Sequence, residues 1–279
     1  MTNMRDTRIT RRLMTSAVLA AVVTIVPGAT AGAADRMRDK DVKDLIERIN
    51  HERDRFEDQL DGKLKRSIVR GPRGDVDVER YLDDLQENVN KLKERFTREY
   101  GAGAEALTVL RQGSDIQRAM ATVAPDLDGA SEWNRLAGSL SELAVVYGTT
   151  FPLPEGASVR RLNDDEVRKA AQEAAKGADR FKKELNASLK HDAAIDTPAR
   201  EAALDEVDGL KRDAQKLAST MGDEKPASGE AQALLTRASK IRAAASGRPL
   251  SPAAQSAWGA LEGSLDKVAL AFALTAREP

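Results

Sequence analysis

The chain has 279 residues, with 44 Lys and Arg against 45 Asp and Glu and a net charge of −1. The two signs interleave along its whole length, which argues against the basic stripe of a nucleic-acid binder and against strong attraction to anionic lipid. With no cysteine anywhere, the chain holds no disulfide, no lipoprotein anchor and no c-type haem attachment, and its stability must come from apolar cores.

In chain order, residues 1–33 have the layout of a secretory signal peptide. Arg5, Arg8, Arg11 and Arg12 form a basic start, and Leu13 to Val26 is apolar apart from Thr15, Ser16 and Thr24. Pro27-Gly28 then breaks the pattern, and Ala31-Gly32-Ala33 is a small-x-small cleavage site. The apolar run is short for a membrane span. The expectation is cleavage after Ala33 and a periplasmic or secreted mature protein; Thr10-Arg11-Arg12 leaves the twin-arginine route open. Removing four Arg and Asp6 leaves 40 basic and 44 acidic side chains.

The mature chain predicts helices only. A first helix carries Val42, Leu45, Ile46, Ile49, Phe56, Leu60 and Leu64 on one face. A second carries Val78, Leu82, Leu85, Val89, Leu92 and Phe96, a 3-4 alternation of coiled-coil type suited to packing at small crossing angles. A third spans about Ala102 to Ala121, and a fourth carries Trp133, Leu136, Leu140, Leu143, Ala144 and Tyr147. A linker with Pro152, Pro154 and Gly156 follows, and then the pattern begins again. Residues 42–148 laid on 167–273, at a constant offset of 125, match at 26 of 107 positions without a gap. A period this long reads as a duplicated domain. The expected organisation is all-α: two tandem four-helix-bundle-like repeats, 36–148 and 165–275, joined by 149–164. No alternating strand pattern is apparent. The loop Gly71-Pro72-Arg73-Gly74-Asp75 is expected to end one helix and cap the next, and Thr197-Pro198 and Ser251-Pro252 read as N-caps followed by proline. Gly138 and Gly263 recur inside the fourth helix, which predicts close approach of a neighbouring helix there.

The pairs of the offset differ in bulk. Leu45, Ile46 and Ile49 become Ala170, Ala171 and Ala174, so the second repeat has either closer helices or a gap.

Helical bundles often hold metals or haem, but the two histidines give no such signal. Neither His51 nor His191 has Glu three residues before it, and the offset maps His51 onto Lys176 and His191 onto Arg66. The acidic pairs Asp83-Asp84, Asp126 with Asp128, and Asp164-Asp165 read as helix caps or solvated faces; no calcium loop, nucleophile elbow or phosphate loop is present. Arg73-Gly74-Asp75 reads as a turn. The candidates for a duplicated ligand or structural site are Asp54 and Arg55 with Asp179 and Arg180, beside Phe56 and Phe181, together with Trp133 and Trp258. Packing is the preferred reading for these: a core Phe with an Arg–carboxylate pair at the edge of the stripe, and Trp capping a core with its N–H on a polar group. The expected function is that of a non-catalytic envelope binding or scaffold protein without cofactor, its partner unknown. The alternative is a carrier holding a hydrophobic ligand between helices.

Overall fold

The computed structural model describes residues 36–273 except 61, 66–67, 72–73, 123–127, 191–194, 224 and 247–249. The expected signal peptide, His191, Asp126 and Arg73 lie outside the described residues. Among those described the chain is overwhelmingly helical, and no helix is long and apolar enough to cross a membrane.

The first helical group contains α1 (Asp39–Gln59), α2 (Gly62–Lys65), α3 (Val78–Arg95), α4 (Gly103–Thr122) and α5 (Ala130–Val146), α2 being a single turn. The second contains α6 (Asp164–Lys190), α7 (Thr197–Gly222), α8 (Ser228–Ser246) and α9 (Pro252–Ala271). The long helices of each group enclose their own core. Val42, Leu45, Ile46, Ile49, Phe56, Leu82, Leu85, Val89 and Leu92 are buried in the first. Val167, Phe181, Val207, Leu210, Leu217, Leu234 and Leu261 are buried in the second.

Two sequence expectations fail between α1 and α3. The first helix does not run on to Leu64; it stops at Gln59, with Leu60 as an extended C-cap. Its offset partner α6 continues unbroken to Lys190. The sequences differ at the break: Gly62 stands where α6 has the strong helix former Ala187. The second correction is a short antiparallel hairpin, β1 (Ile68–Gly71) with β2 (Gly74–Asp77), in register Val69 with Val76. At four residues per strand it is too short to show an alternating pattern, but Ile68-Val69 and Val76 supply the β-branched residues. As a consequence Asp77, not Asp75, caps α3, accepting from the Arg80 N–H at 3.2 Å. Asp196 likewise caps α7, one residue earlier than expected, accepting from the Ala199 N–H at 2.8 Å. The Ser251 cap on α9 is as expected.

Gly138 and Gly263 are a third correction. Both are exposed, and a Cβ added at either would meet nothing within 4 Å. The buried member of that motif is Ser139, whose hydroxyl accepts from Arg48 Nε at 3.1 Å. Close helix approach occurs instead at Gly177 on α6, where a Cβ would lie 3.2–3.4 Å from Leu261 of α9. Ala170, Ala171, Ala174 and Ala178 lie buried along the same helix. The alanine stripe is thus used by helices drawn close together.

The linker is packed. Phe151, Leu153 and Val159 lie against the first core and Leu162 joins the second. The Leu153 N–H donates to Ser114 Oγ at 2.7 Å. Gly101 gives it passage, since a Cβ there would stand 2.8 Å from the Arg161 carbonyl oxygen.

Candidate functional site

The sequence candidates separate into core and surface. Phe56 stacks on Trp133 with ring centroids 5.3 Å apart, and Phe181 on Trp258 at 5.0 Å, both tilted by 55°. Each helical group thus holds one tilted Phe–Trp pair, in closely similar geometry. Trp133 is 2 % exposed and donates its indole N–H to Gln117 Oε1 at 2.9 Å. The polar members do not behave as a repeated site. Asp54 pairs with Arg53 on its own helix, whereas Asp179 of α6 accepts from Lys211 of α7 at 2.9 Å. Arg55 and Arg180 are exposed. His51, Asp83, Asp84 and Asp128 are exposed as well.

Other polar positions related by the offset differ in residue type between the two groups. Arg48 of α1 pairs with Glu142 of α5. Their offset partners are Glu173 and Lys267, the same pair of positions with charges reversed. Lys176 first, then Arg180 and Lys267, hold the Glu173 carboxyl below the usual range. Arg53, 2 % exposed and paired with Asp54 and Glu57, has Ala178 as its partner.

The most organised polar site lies where the two helical groups meet, and sequence reasoning missed it. The offset of 125 continues upstream of residue 42, pairing Arg36 with Arg161 and Asp39 with Asp164. These four side chains form a reciprocal clasp across the N-termini of α1 and α6. The Asp39 N–H donates to Asp164 Oδ2 at 2.9 Å, and the Asp164 N–H donates to Asp39 Oδ2 at 2.8 Å. Arg161 Nη2 donates to Asp39 Oδ1 at 2.7 Å and to the Met37 carbonyl at 2.8 Å. Arg36 makes the matching contacts, to Asp164 Oδ1 and to the carbonyl of Leu162, the offset partner of Met37. Each carboxylate thus sits on the positive end of the other group's helix, bonded to a charged donor and an amide.

The surroundings are apolar. Arg161 lies over the Phe96 ring at 5.9 Å and Arg36 over Phe272 at 6.0 Å. Burial raises the Asp39 carboxyl above the usual aspartate range against the pull of Arg161. Burial, then the like charge of Arg161, lowers the Arg36 guanidinium. Behind the clasp, fully buried Asn163 caps α6: its Oδ1 accepts from the Glu166 N–H at 2.8 Å and Glu166 Oε2 accepts from the Asn163 N–H at 2.9 Å.

Comparison with known proteins finds no family, no curated relative and no solved structure that matches this chain.

A cleft of about 330 Å3 opens beside the clasp. Its wall combines the first turns of α1 and α6, the loop after α3 and the end of α7, contributing Lys40, Lys43, Arg98, Arg168 and Met221 beside the clasp carboxylates. Lys43 and Arg168 are offset partners. Among the described residues no group of three or more His, Asp or Glu is arranged to hold a metal ion. The clasp can hold two helical groups in one orientation, and the cleft presents cations; neither supplies a nucleophile paired with a base.

Proposed function

We propose that this chain is an exported, non-catalytic binding or scaffold protein of the cell envelope, built as two tandem four-helix-bundle repeats after a signal peptide. The carrying observation is the clasp. Two separately cored helical groups are fixed to each other by a buried, reciprocal Arg–Asp contact and a packed linker, not left to move on a tether. A rigid pair of bundles with a charged exterior is suited to holding partners at a set spacing. The layout of residues 1–33 supports export. A hydrophobic-carrier role draws less support, because the alanine stripe that could leave a gap is taken up by the approach of α9 at Gly177.

The test has two parts. Fractionation with N-terminal sequencing should find a chain beginning at Ala34 outside the cytoplasm. Affinity capture from envelope extract should recover a defined partner with the intact chain and less of it with the clasp opened by Asp39→Ala. A full-length cytoplasmic chain, or a clean surface that captures nothing with either form, would remove this reading.

A further inference from the structure

The cleft beside the clasp has a charge balance that the clasp does not need. Its carboxylates are already engaged. Asp39 and Asp164 are each held by a buried arginine and by the opposing helix amide. Asp165 is shared between Arg168 at 2.8 Å and Arg98 at 3.6 Å, leaving one of those two guanidinium charges without a compensating anion. Arg38 is bonded to Asp41 at 2.7 Å. Lys40 and Lys43 have no ion-pair partner among the described residues, and both project from the first turns of α1, where the helix dipole disfavours a cation. Two unpaired lysines and one surplus arginine therefore face a common space, on a helix end where structure alone would favour acids. Across it, the Arg168 Nε is buried without a hydrogen-bond partner.

We infer that this cleft binds a small multivalent anion, one bearing two or more phosphate or carboxylate groups, between Lys40 and Lys43 of the first repeat and Arg98 and Arg168 around the repeat junction. The volume suits a compact ligand of this kind. Cations come from both sides of the junction: Lys40 and Lys43 from α1, Arg98 from the loop after α3, Arg168 from α6. A ligand carrying one acidic group would leave part of this charge unmatched. Two or more groups can engage the lysines as point charges and the arginines through their planar forks. Met221 is the one apolar side chain among the residues that line the cleft, which are otherwise charged apart from Gly222. This inference deepens the binding reading by giving the junction a ligand.

The experiment is calorimetric titration of the purified chain with inorganic triphosphate, and separately with citrate, at low and moderate salt. Saturable one-to-one binding is expected, weakened at least tenfold in Lys40→Gln/Lys43→Gln and in Arg168→Gln, and weakened by added salt. Lys183→Gln, an exposed lysine on α6 away from the cleft, should bind as the parent does. Preference for triphosphate or for citrate identifies phosphate or carboxylate as the recognised group. Circular dichroism of each variant establishes that it is folded. No saturable binding of either anion, or an equal loss in Lys183→Gln, overturns the cleft as a site. If the chain still captures its envelope partner in that case, the scaffold reading stands without the ligand.

Discussion

Asp39→Ala tests the junction most directly. The substitution takes from the Arg161 side chain, 3 % exposed, its 2.7 Å carboxylate partner, leaving only Asp164 at 4.0 Å, and leaves the Asp164 N–H without its acceptor. Breaking a buried ion pair by removing one partner costs about 3–5 kcal/mol. Arg161 keeps the Met37 carbonyl at 2.8 Å, which places the expected loss at the lower end, about 3 kcal/mol. Asp164→Ala should cost a similar amount, since Arg36 keeps the Leu162 carbonyl in the same way. The assay is urea unfolding followed by far-ultraviolet circular dichroism, reading midpoint and slope together. Opening the clasp should also reduce the slope or split the transition, because the two cores would cease to unfold as one. The double variant Asp39→Leu/Arg161→Met removes both charges and should recover a large part of the loss. A shift below about 0.5 kcal/mol in both single variants, the size of an exposed pair, or a double variant no better than the sum of its parts, would refute the argument.

Three further outcomes follow from single residues. Gly138→Ala and Gly263→Ala fill open space on exposed helix faces and should each stabilise by about 0.5–1 kcal/mol, additively, in the same unfolding assay. Gly101→Ala should instead destabilise by about 1–3 kcal/mol, because its Cβ would meet the Arg161 carbonyl of the linker backbone at 2.8 Å; a neutral result would mean that the linker is free to shift. Tyr147 donates its hydroxyl to the Gly101 carbonyl at 2.6 Å, and burial raises its pKa above that of a free tyrosine. The unfolded chain therefore releases this proton first. The associated stability is complete below about pH 10 and is lost as the pH climbs through the raised folded value. Tyr147→Phe should cost about 1 kcal/mol at neutral pH and show a shallower decline than the parent above pH 10.

The helical frame was legible because its signals are periodic and local. The apolar stripes of α3 and α5, and the recurrence of Phe56 with Trp133 as Phe181 with Trp258, are what shared packing leaves in a sequence. Recurrence alone misled at Gly138 and Gly263, since a repeated glycine can sit in open space and no pattern distinguishes that from contact. The hairpin was hidden by its length, four residues per strand. The clasp was hidden differently. Arg36 and Asp39 are charged residues ahead of the first apolar stripe, in a stretch that looks like solvated chain. Only carrying the offset a few residues upstream shows that both recur as Arg161 and Asp164. Periodicity reports what faces a core, and the clasp faces the other half of the chain. Asp164 was visible as part of an acidic pair at a helix start, but its partner lies 125 residues away, and no local rule reaches that far.

The reciprocity of the clasp has a consequence for how the two halves are held. A contact in which the same positions on two halves meet each other is self-complementary: one half alone carries both the donor and the acceptor. Each half therefore brings to the contact the same kind of donor and acceptor that it meets on the other. The linker then acts by raising the effective concentration of one half around the other, so the interface need not be strong enough to assemble from dilute solution. That frees the neighbouring surface to lose its symmetry, as the cationic Lys40 opposite the acidic Asp165 shows, while the four clasp residues remain matched pairs in which a change on one side is felt on the other.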